Sequence, residues 1–289
     1  YKTGDFAPYL YKTNDFGKTW KKITDGIPSE HFTRVLREDP KQKGILYAGT
    51  ETGMYISFDN GNNWKAFQLN LPIVPITDLA VKDNNLIVAT QGRSLWILDD
   101  LSLLHQLSEA KNKDNFIYKP KDAYRMGGRS NSKSLTTGTN HPSGVLTYFN
   151  VANSDAKEIT LSYLTKQGDT IKSFTTKGTK EKNNKLEVEN GSNVHSWNMR
   201  GDGAERLKGM ILWWGSTAAP MAVPGEYEVV LTVDDESYAK PFTIIPDGNS
   251  ETDLAGMQRQ FDFITDVNST VDKAHKSIKK IRKINSQLE

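Results

Sequence analysis

Short apolar runs separated by turn residues recur along this chain and predict a mainly β protein. Residues 45–56 and 86–97 align with each other. Each reads as a buried strand, a turn that contains glycine, and a second strand. The first hundred residues are therefore expected to form small antiparallel sheets, joined to the second half of the chain through a short helix near residues 101–107.

The second half of the chain alternates apolar and polar positions over short stretches with turn signals between them. These stretches predict strands at 145–151, 158–164, 170–175, 185–188, 194–199, 227–233 and 238–245. Regular short strands of this kind favour a β-sandwich of the immunoglobulin or fibronectin III type. A strand near 115–120 and a Ser/Thr/Asn-rich loop up to Gly144 are expected before it.

Apolar residues after Pro246 recur at three- and four-residue steps and predict a long helix, which Ser250 or Asp253 caps. We expect Leu254, Met257, Phe261, Ile264 and Val271 to pack on protein, while the lysines of the other face stay in solvent. The alternative is that the lysine face contacts an acidic lipid or another polyanion.

One short motif occurs twice in the first third of the chain, as [Ser/Thr]-x-Asp-x-Gly-x-[Thr/Asn]-Trp. The copies begin at Thr13 and Ser57, 44 residues apart, which is about the length of a four-stranded propeller blade. Their positions are Thr13, Asp15, Gly17 and Trp20 in the first copy, and Ser57, Asp59, Gly61 and Trp64 in the second.

Each motif residue has a structural task in a hairpin turn. The Asp carboxylate accepts backbone N–H groups across the turn and the hydroxyl braces it. Glycine supplies the positive φ, and each tryptophan is expected to be buried between neighbouring sheets. These carboxylates are therefore predicted to be structural instead of an acid pair.

The motif resembles the Asp-box, or bacterial neuraminidase repeat (BNR), of sialidases and sortilin-type receptors. Together with Ala89–Asp100, Trp197–Arg200, the hairpin from Pro224 and the C-terminal helix, it resembles the C-terminal part of bacterial sortilin-like Asp-box propeller proteins. Members of that family are often labelled as glycosyl hydrolases. The resemblance implies propeller blades at 1–105, a linker and long loop at 106–144, a β-sandwich at 145–246 and a helix at 250–289.

Residues 1–100 hold only about two and a half blades, whereas propellers close with about four to eight. We therefore expect this chain to be a portion of a larger protein, with upstream blades of the same propeller as its first partners. The sequence has no cysteine and a net charge of +2. No disulfide or cysteine-bound zinc is expected, no cofactor is implied, and no global field favours nucleic acid. Membrane contact is not expected.

The sequence contains candidate catalytic residues but no recognised catalytic motif. Asp99 and Asp100 are adjacent on a strand and cannot face one sugar together, so capping of the next turn is expected of them. Arg34, Arg37 and Arg93 are available for a sialidase-like cluster, although no pattern links them to Tyr47 or Tyr55. The histidines, at positions 31, 105, 141, 195 and 275, lack metal-ligand spacing.

Trp213 and Trp214 are the candidate ligand-stacking residues. Burial of both is the favoured expectation, one in the sandwich core and one at the domain junction, and exposed rings for a sugar or protein partner are the alternative. The favoured function is a non-catalytic recognition portion of an exported bacterial protein that binds a peptide or glycan. The alternative is part of a sialidase- or xyloglucanase-like hydrolase whose catalytic carboxylates lie upstream.

Overall fold

The chain is mainly β, with several sheets and two helices. The computed structural model describes residues 2–126, 142–207 and 209–288. Contacts divide the chain into two compact units, residues 1–108 and 109–289. In the described ranges, neither helix has the length and apolar character needed to span a bilayer.

Unit 1 consists of small antiparallel sheets. Its elements are β1 (Tyr11–Lys12), β2 (Lys21–Lys22), β3 (Thr33–Glu38), β4 (Leu46–Thr50), β5 (Gly53–Ser57), β6 (Lys65–Ala66), β7 (Ile76–Lys82), β8 (Asn85–Thr90) and β9 (Leu95–Leu98), followed by α1 (Ser102–Ala110). The sheets have the orders β1-β2, β3-β4-β5-β6 and β7-β8-β9. The strand–turn–strand predictions for 45–56 and 86–97 are confirmed as β4–β5 and β8–β9.

Strands β4 and β5 are buried along their whole length, which explains their continuous apolar sequence. Because successive side chains point to opposite faces, Leu46 and Ala48 join one core cluster, while Tyr47 joins another. The first cluster includes Leu10 and Ile23 from the preceding residues. The second cluster contains residues of β7 and β8. The middle sheet is thus packed on both sides within unit 1.

Helix α1 begins where the sequence predicted a capped turn. The N–H of Ser102 donates to Oδ1 of Asp100 over 3.0 Å, so Asp100 acts as the capping residue. Leu101 is fully buried in the core of unit 1. The cap and this anchor together fix the start of the helix.

Unit 2 contains two sheets and the long C-terminal helix. Its elements are β10 (Phe116–Ile117), β11 (Ala123–Arg125), β12 (Val145–Val151), β13 (Ile159–Thr165), β14 (Thr170–Thr175), β15 (Gly191–Trp197), β16 (Gly225–Val233), β17 (Glu236–Pro246) and α2 (Leu254–Leu288). The sheets have the orders β10-β12-β15 and β11-β17-β16-β13-β14. All pairs are antiparallel except β11 with β17.

One aromatic core connects the two sheets of unit 2. Trp197 of β15 stacks on Tyr163 of β13 with ring centroids 4.4 Å apart, and both side chains are fully buried. Phe242 of β17 meets both rings edge-on, and Phe149 of β12 belongs to the same cluster. The alternating apolar positions of these strands therefore face a shared interior.

One sequence prediction for unit 2 needs correction. The segment 185–188 is not a strand, since Lys185 makes only an isolated bridge to Thr175. Leu186 is buried there, so burial without pairing explains its apolar character. The region 106–144, predicted as a linker and long loop, contains the end of α1, the strand β10 within the predicted strand near 115–120, and β11. Most of its Ser/Thr/Asn-rich loop lies outside the described residues.

Helix α2 docks over its first two-thirds only. Asp253 caps it, accepting from the N–H of Gly256 over 2.7 Å, as the sequence predicted. Met257 and His275 are buried, and Phe261, Ile264 and Val271 are half-buried between them. Leu254 is 54% exposed, so its predicted docking is wrong; it lies in the first turn, before the docked face begins at Met257.

Candidate functional site

The first Asp-box forms a closed network within its own turn. The hydroxyl of Thr13 donates to Oδ1 of Asp15 over 2.8 Å and accepts from the N–H of Gly17 over 2.8 Å. Oδ1 of Asp15 also accepts from the N–H of Thr19 over 2.8 Å, and Oδ2 accepts from the Thr19 hydroxyl over 2.6 Å. Both carboxylate oxygens are therefore engaged by the turn.

The second Asp-box repeats this network. The hydroxyl of Ser57 donates to Asp59 over 2.8 Å and accepts from the N–H of Gly61 over 2.9 Å. Asp59 accepts from the backbone N–H and the side-chain amide of Asn63, over 2.8 Å and 2.7 Å. The residue before each glycine, Phe16 or Asn60, also adopts positive φ. The two turns therefore share one backbone conformation.

These hydrogen bonds hold both carboxyl groups in the charged form. Donation from the Thr19 side chain and backbone lowers the pKa of Asp15 to about 2. Donation from the Asn63 side chain likewise lowers the pKa of Asp59, against a smaller effect of burial. A catalytic acid needs a raised pKa, so the geometry supports a bracing role for both groups.

The two motif tryptophans differ in their surroundings. Trp64 is 4% exposed, packs with Leu10 and Ile23, and donates its Nε1 proton to the Ile23 carbonyl over 2.8 Å. Trp20 is 60% exposed, and its Nε1 donates to Gly17 O within its own turn. The expectation that both rings are buried is wrong for Trp20. The cluster around Trp64 includes Leu10, Ile23 and Ile27 from the preceding repeat, and the described residues supply no equivalent of these for Trp20.

The arginines considered for a sialidase-like cluster have separate partners. Arg34 pairs with Glu51 at 2.5 Å and Arg37 pairs with Asp78 at 2.7 Å. Arg93 donates to the carbonyl of Gly92 in its own turn. Each guanidinium is therefore engaged locally, and the structure does not bring the three together in one hydrogen-bonded group.

A buried network that the sequence did not signal lies in unit 1. Asp39, 3% exposed, accepts from the Tyr47 hydroxyl over 2.8 Å and lies 2.9 Å from Nε2 of His105. Burial favours its neutral form, yet hydrogen bonds from His105, the Lys41 N–H and Tyr47 hold the pKa of Asp39 below its ordinary value. Burial also raises the pKa of Tyr47, so its phenol stays protonated. The network fastens α1 to the sheet.

The histidines of unit 2 have structural surroundings. Nδ1 of His275 contacts the Glu205 carbonyl, which fastens α2 to the preceding loop. His195 packs on Phe174 with ring centroids 4.2 Å apart, and burial lowers its pKa. Within the described ranges, no group of three or more histidine, cysteine or acidic side chains has a metal-binding arrangement. His141 lies outside those ranges.

A polar cleft in unit 2 is lined by Lys172 and by residues 181–184, 201–206 and 217–218, and has a volume of about 630 Å³. The Lys172 side chain is only 3% exposed, and its ammonium pairs with the carboxylate of Asp202. The same ammonium lies 5.4 Å from the ring centroid of Phe174. Because the Asp202 side chain is 76% exposed, a buried cation holds a carboxylate at the solvent side.

A loop with exposed aromatic residues begins and ends at this cleft. Residues 206 and 217 both line the cleft, and the loop between them contains Ile211, Trp213 and Trp214. These side chains are 80%, 88% and 98% exposed. The expectation that the two tryptophans are buried is therefore wrong, because Trp197, Tyr163 and Phe242 already occupy the core of unit 2. The candidate site consists of this loop with its two exposed indole rings and of the cleft that the ends of the loop line.

Comparisons with known proteins place the chain in no family. No protein-family model matches it, and no curated protein matches it. One similar solved structure is PorZ, an essential bacterial surface component of the type-IX secretion system of Porphyromonas gingivalis. The similarity has 14% identity and a TM-score of 0.25, and covers 82% of this chain and 25% of that chain. The chain thus spans a quarter of that protein's length, and an overlap this weak defines neither fold nor function.

Proposed function

We propose that this chain is a non-catalytic recognition portion of an exported bacterial Asp-box protein, and that it binds a glycan or peptide. The observation that carries the proposal is the exposure of Trp213 and Trp214 in a loop whose two ends, at residues 206 and 217, line the polar cleft of unit 2. Two adjacent indole rings in solvent are unusual, since large aromatic side chains are mostly buried. We favour a glycan, because flat rings stack on the apolar faces of sugars while nearby polar groups receive the hydroxyls.

The cleft supplies both kinds of polar partner that sugar hydroxyls need. The Asp202 carboxylate, held by Lys172, offers acceptor oxygens at an exposed position. Arg206 lines the same cleft and offers guanidinium donors. Because the Lys172 side chain is buried, it fixes the position of Asp202 without reaching solvent.

Unit 1 is proposed to be the end of an Asp-box propeller that continues in upstream blades. The internal repeat supports this partner. Tyr55 and Trp64 of the second copy are 7% and 4% exposed, whereas Tyr11 and Trp20, at the equivalent positions 44 residues earlier, are 50% and 60% exposed. A further repeat with aliphatic residues like those around Trp64 would cover this surface. Export to the bacterial periplasm, the cell surface or the medium belongs to the same proposal and rests on the Asp-box resemblance.

Isothermal titration calorimetry against oligosaccharides and peptides tests the recognition role. Replacing Trp213 and Trp214 together by alanine is expected to weaken binding about tenfold or more, as loss of an aromatic anchor does at other interfaces. Trp20→Ala is the matched control, since it removes an exposed indole from unit 1. Equal binding by wild type and the double variant would refute the site.

Product analysis of the same mixtures tests whether this chain by itself hydrolyses glycans. We expect every oligosaccharide to be recovered intact, because Asp15 and Asp59 are engaged by their own turns. Cleavage that stops when a carboxyl group of this chain is replaced by its amide would contradict the non-catalytic assignment.

A further inference from the structure

The last turns of α2 differ from the rest of the helix. Up to His275 the helix is held by polar contacts: the side-chain amide of Asn268 donates to the Ala218 carbonyl over 3.0 Å, and Asp272 accepts from the Glu205 N–H over 2.7 Å. Lys279 still pairs with Glu205. All side chains from 276 to 288 are nevertheless exposed. The helix therefore runs beyond the surface on which it docks.

This free segment carries charge of one sign. Between positions 276 and 288 the chain has five cationic residues and no aspartate or glutamate. They are Lys276, Lys279, Lys280, Arg282 and Lys283. Only Lys279 has a described acidic partner. The segment thus presents a local positive field that the net charge of +2 does not reveal.

The same turns expose a row of large aliphatic side chains. Ile278, Ile281, Ile284 and Leu288 are 37%, 57%, 46% and 81% exposed. At about 100° per residue, they lie within an arc of about 120°, and Lys276, Lys280 and Lys283 project from the other side. Exposed lysines are expected on a helix segment that stays in water, whereas a row of exposed aliphatic side chains is not.

We propose that the free end of α2, residues 276–288, binds the surface of an anionic lipid bilayer. An amphipathic helix with a basic face inserts its apolar arc at the headgroup boundary, while its cations meet the lipid phosphates. A second copy of the chain fits less well, since pairing two such segments would bring like charges together.

Vesicle co-sedimentation tests the proposal on the 289-residue chain. We expect binding to vesicles that contain phosphatidylglycerol and little binding to pure phosphatidylcholine, with affinity falling as salt is raised. The combined variant Lys276→Glu, Lys280→Glu and Lys283→Glu is expected to bind at least about 100-fold less. Ile281→Ser with Ile284→Ser tests the aliphatic row and is expected to bind at least about tenfold less.

The control variant reverses three exposed lysines of unit 1, Lys41, Lys43 and Lys82, and is expected to bind like wild type. Far-UV circular dichroism of each variant without lipid shows whether the fold is kept. Equal binding by the α2 variants and wild type, or failure of wild type to bind anionic vesicles, would overturn the proposal. So would a concentration-dependent dimer that Ile281→Ser abolishes, because that result assigns the row to a second copy.

The bilayer-binding proposal and the recognition-site proposal can be refuted independently of each other. Replacing Trp213 and Trp214 by alanine should leave vesicle binding unchanged, and the lysine-to-glutamate variant should keep its affinity for the oligosaccharide. Loss of vesicle binding in the tryptophan variant would place the lipid contact on the loop and overturn its assignment to α2.

Discussion

Replacing Trp64 by alanine tests how the Asp-box repeats pack. The side chain is 4% exposed and lies among Ile23, Ile27 and Tyr55, so its removal leaves a cavity in the core. The variant also leaves the Ile23 carbonyl without the indole N–H that now reaches it over 2.8 Å. A buried Trp→Ala change costs about 3–5 kcal/mol, which is a large fraction of the roughly 5–15 kcal/mol by which a folded domain is usually stable.

Trp20→Ala is the matched comparison, since the residue has the same place in the motif. Its ring is 60% exposed and bonds only to Gly17 of its own turn. We expect it to cost less than about 1.5 kcal/mol, the value of one net hydrogen bond plus a surface substitution. The two variants should therefore differ by at least about 1.5 kcal/mol.

Urea unfolding followed by far-UV circular dichroism measures both costs from the shift in midpoint at an unchanged slope. Because the chain has two units, amide exchange at Tyr47 and Ala48 in β4 assigns the loss to unit 1. Equal destabilisation by the two variants, or a Trp64→Ala variant as stable as wild type, would refute the account of repeat packing.

Three further predictions concern the same unit. Gly61→Ala should destabilise the protein by about 1–3 kcal/mol more than Gly17→Ala, as measured by their urea unfolding midpoints. Both glycines have positive φ, but a Cβ at Gly61 would lie 2.6 Å from Ile23, whereas a Cβ at Gly17 would have only Trp20 nearby, at 3.8 Å. The pKa of Asp15 is lowered from 3.8 to about 2 in the folded protein. The charged carboxylate therefore stabilises the fold above its unfolded pKa of 3.8, and this stabilisation is lost as the pH falls from 3.8 to about 2. Asp15→Asn should flatten the dependence of the unfolding free energy on pH in that range. Tyr47→Phe should cost about 1–3 kcal/mol in thermal unfolding, because buried Asp39 loses a donor at 2.8 Å.

The sequence predicted features that depend on neighbouring residues. The Asp-box turns form from Thr13, Asp15 and Gly17 because every donor and acceptor lies within four positions. The capping roles of Asp100 and Asp253 are equally local. Strand positions were predicted where alternation coincides with burial, as in β12, whose bounds match the expected 145–151.

Features that depend on residues distant in the sequence were not predicted from the sequence. Trp20 and Trp64 have the same local motif, and only tertiary packing makes one exposed and the other buried. The contact of Asp39 with His105 joins residues 66 positions apart, with no motif at either end. Trp213 and Trp214 were expected to be buried because of their size, a preference that the aromatic core formed around Trp197 overrides.

Indole N–H resonances offer the most direct test of the recognition site. The chain has six tryptophans, so a two-dimensional ¹⁵N spectrum gives six assignable indole signals. On titration with the oligosaccharide that binds most tightly, we predict that the Trp213 and Trp214 signals shift, while those of buried Trp64 and Trp197 stay in place. Saturable binding that leaves the Trp213 and Trp214 signals unmoved would contradict the account.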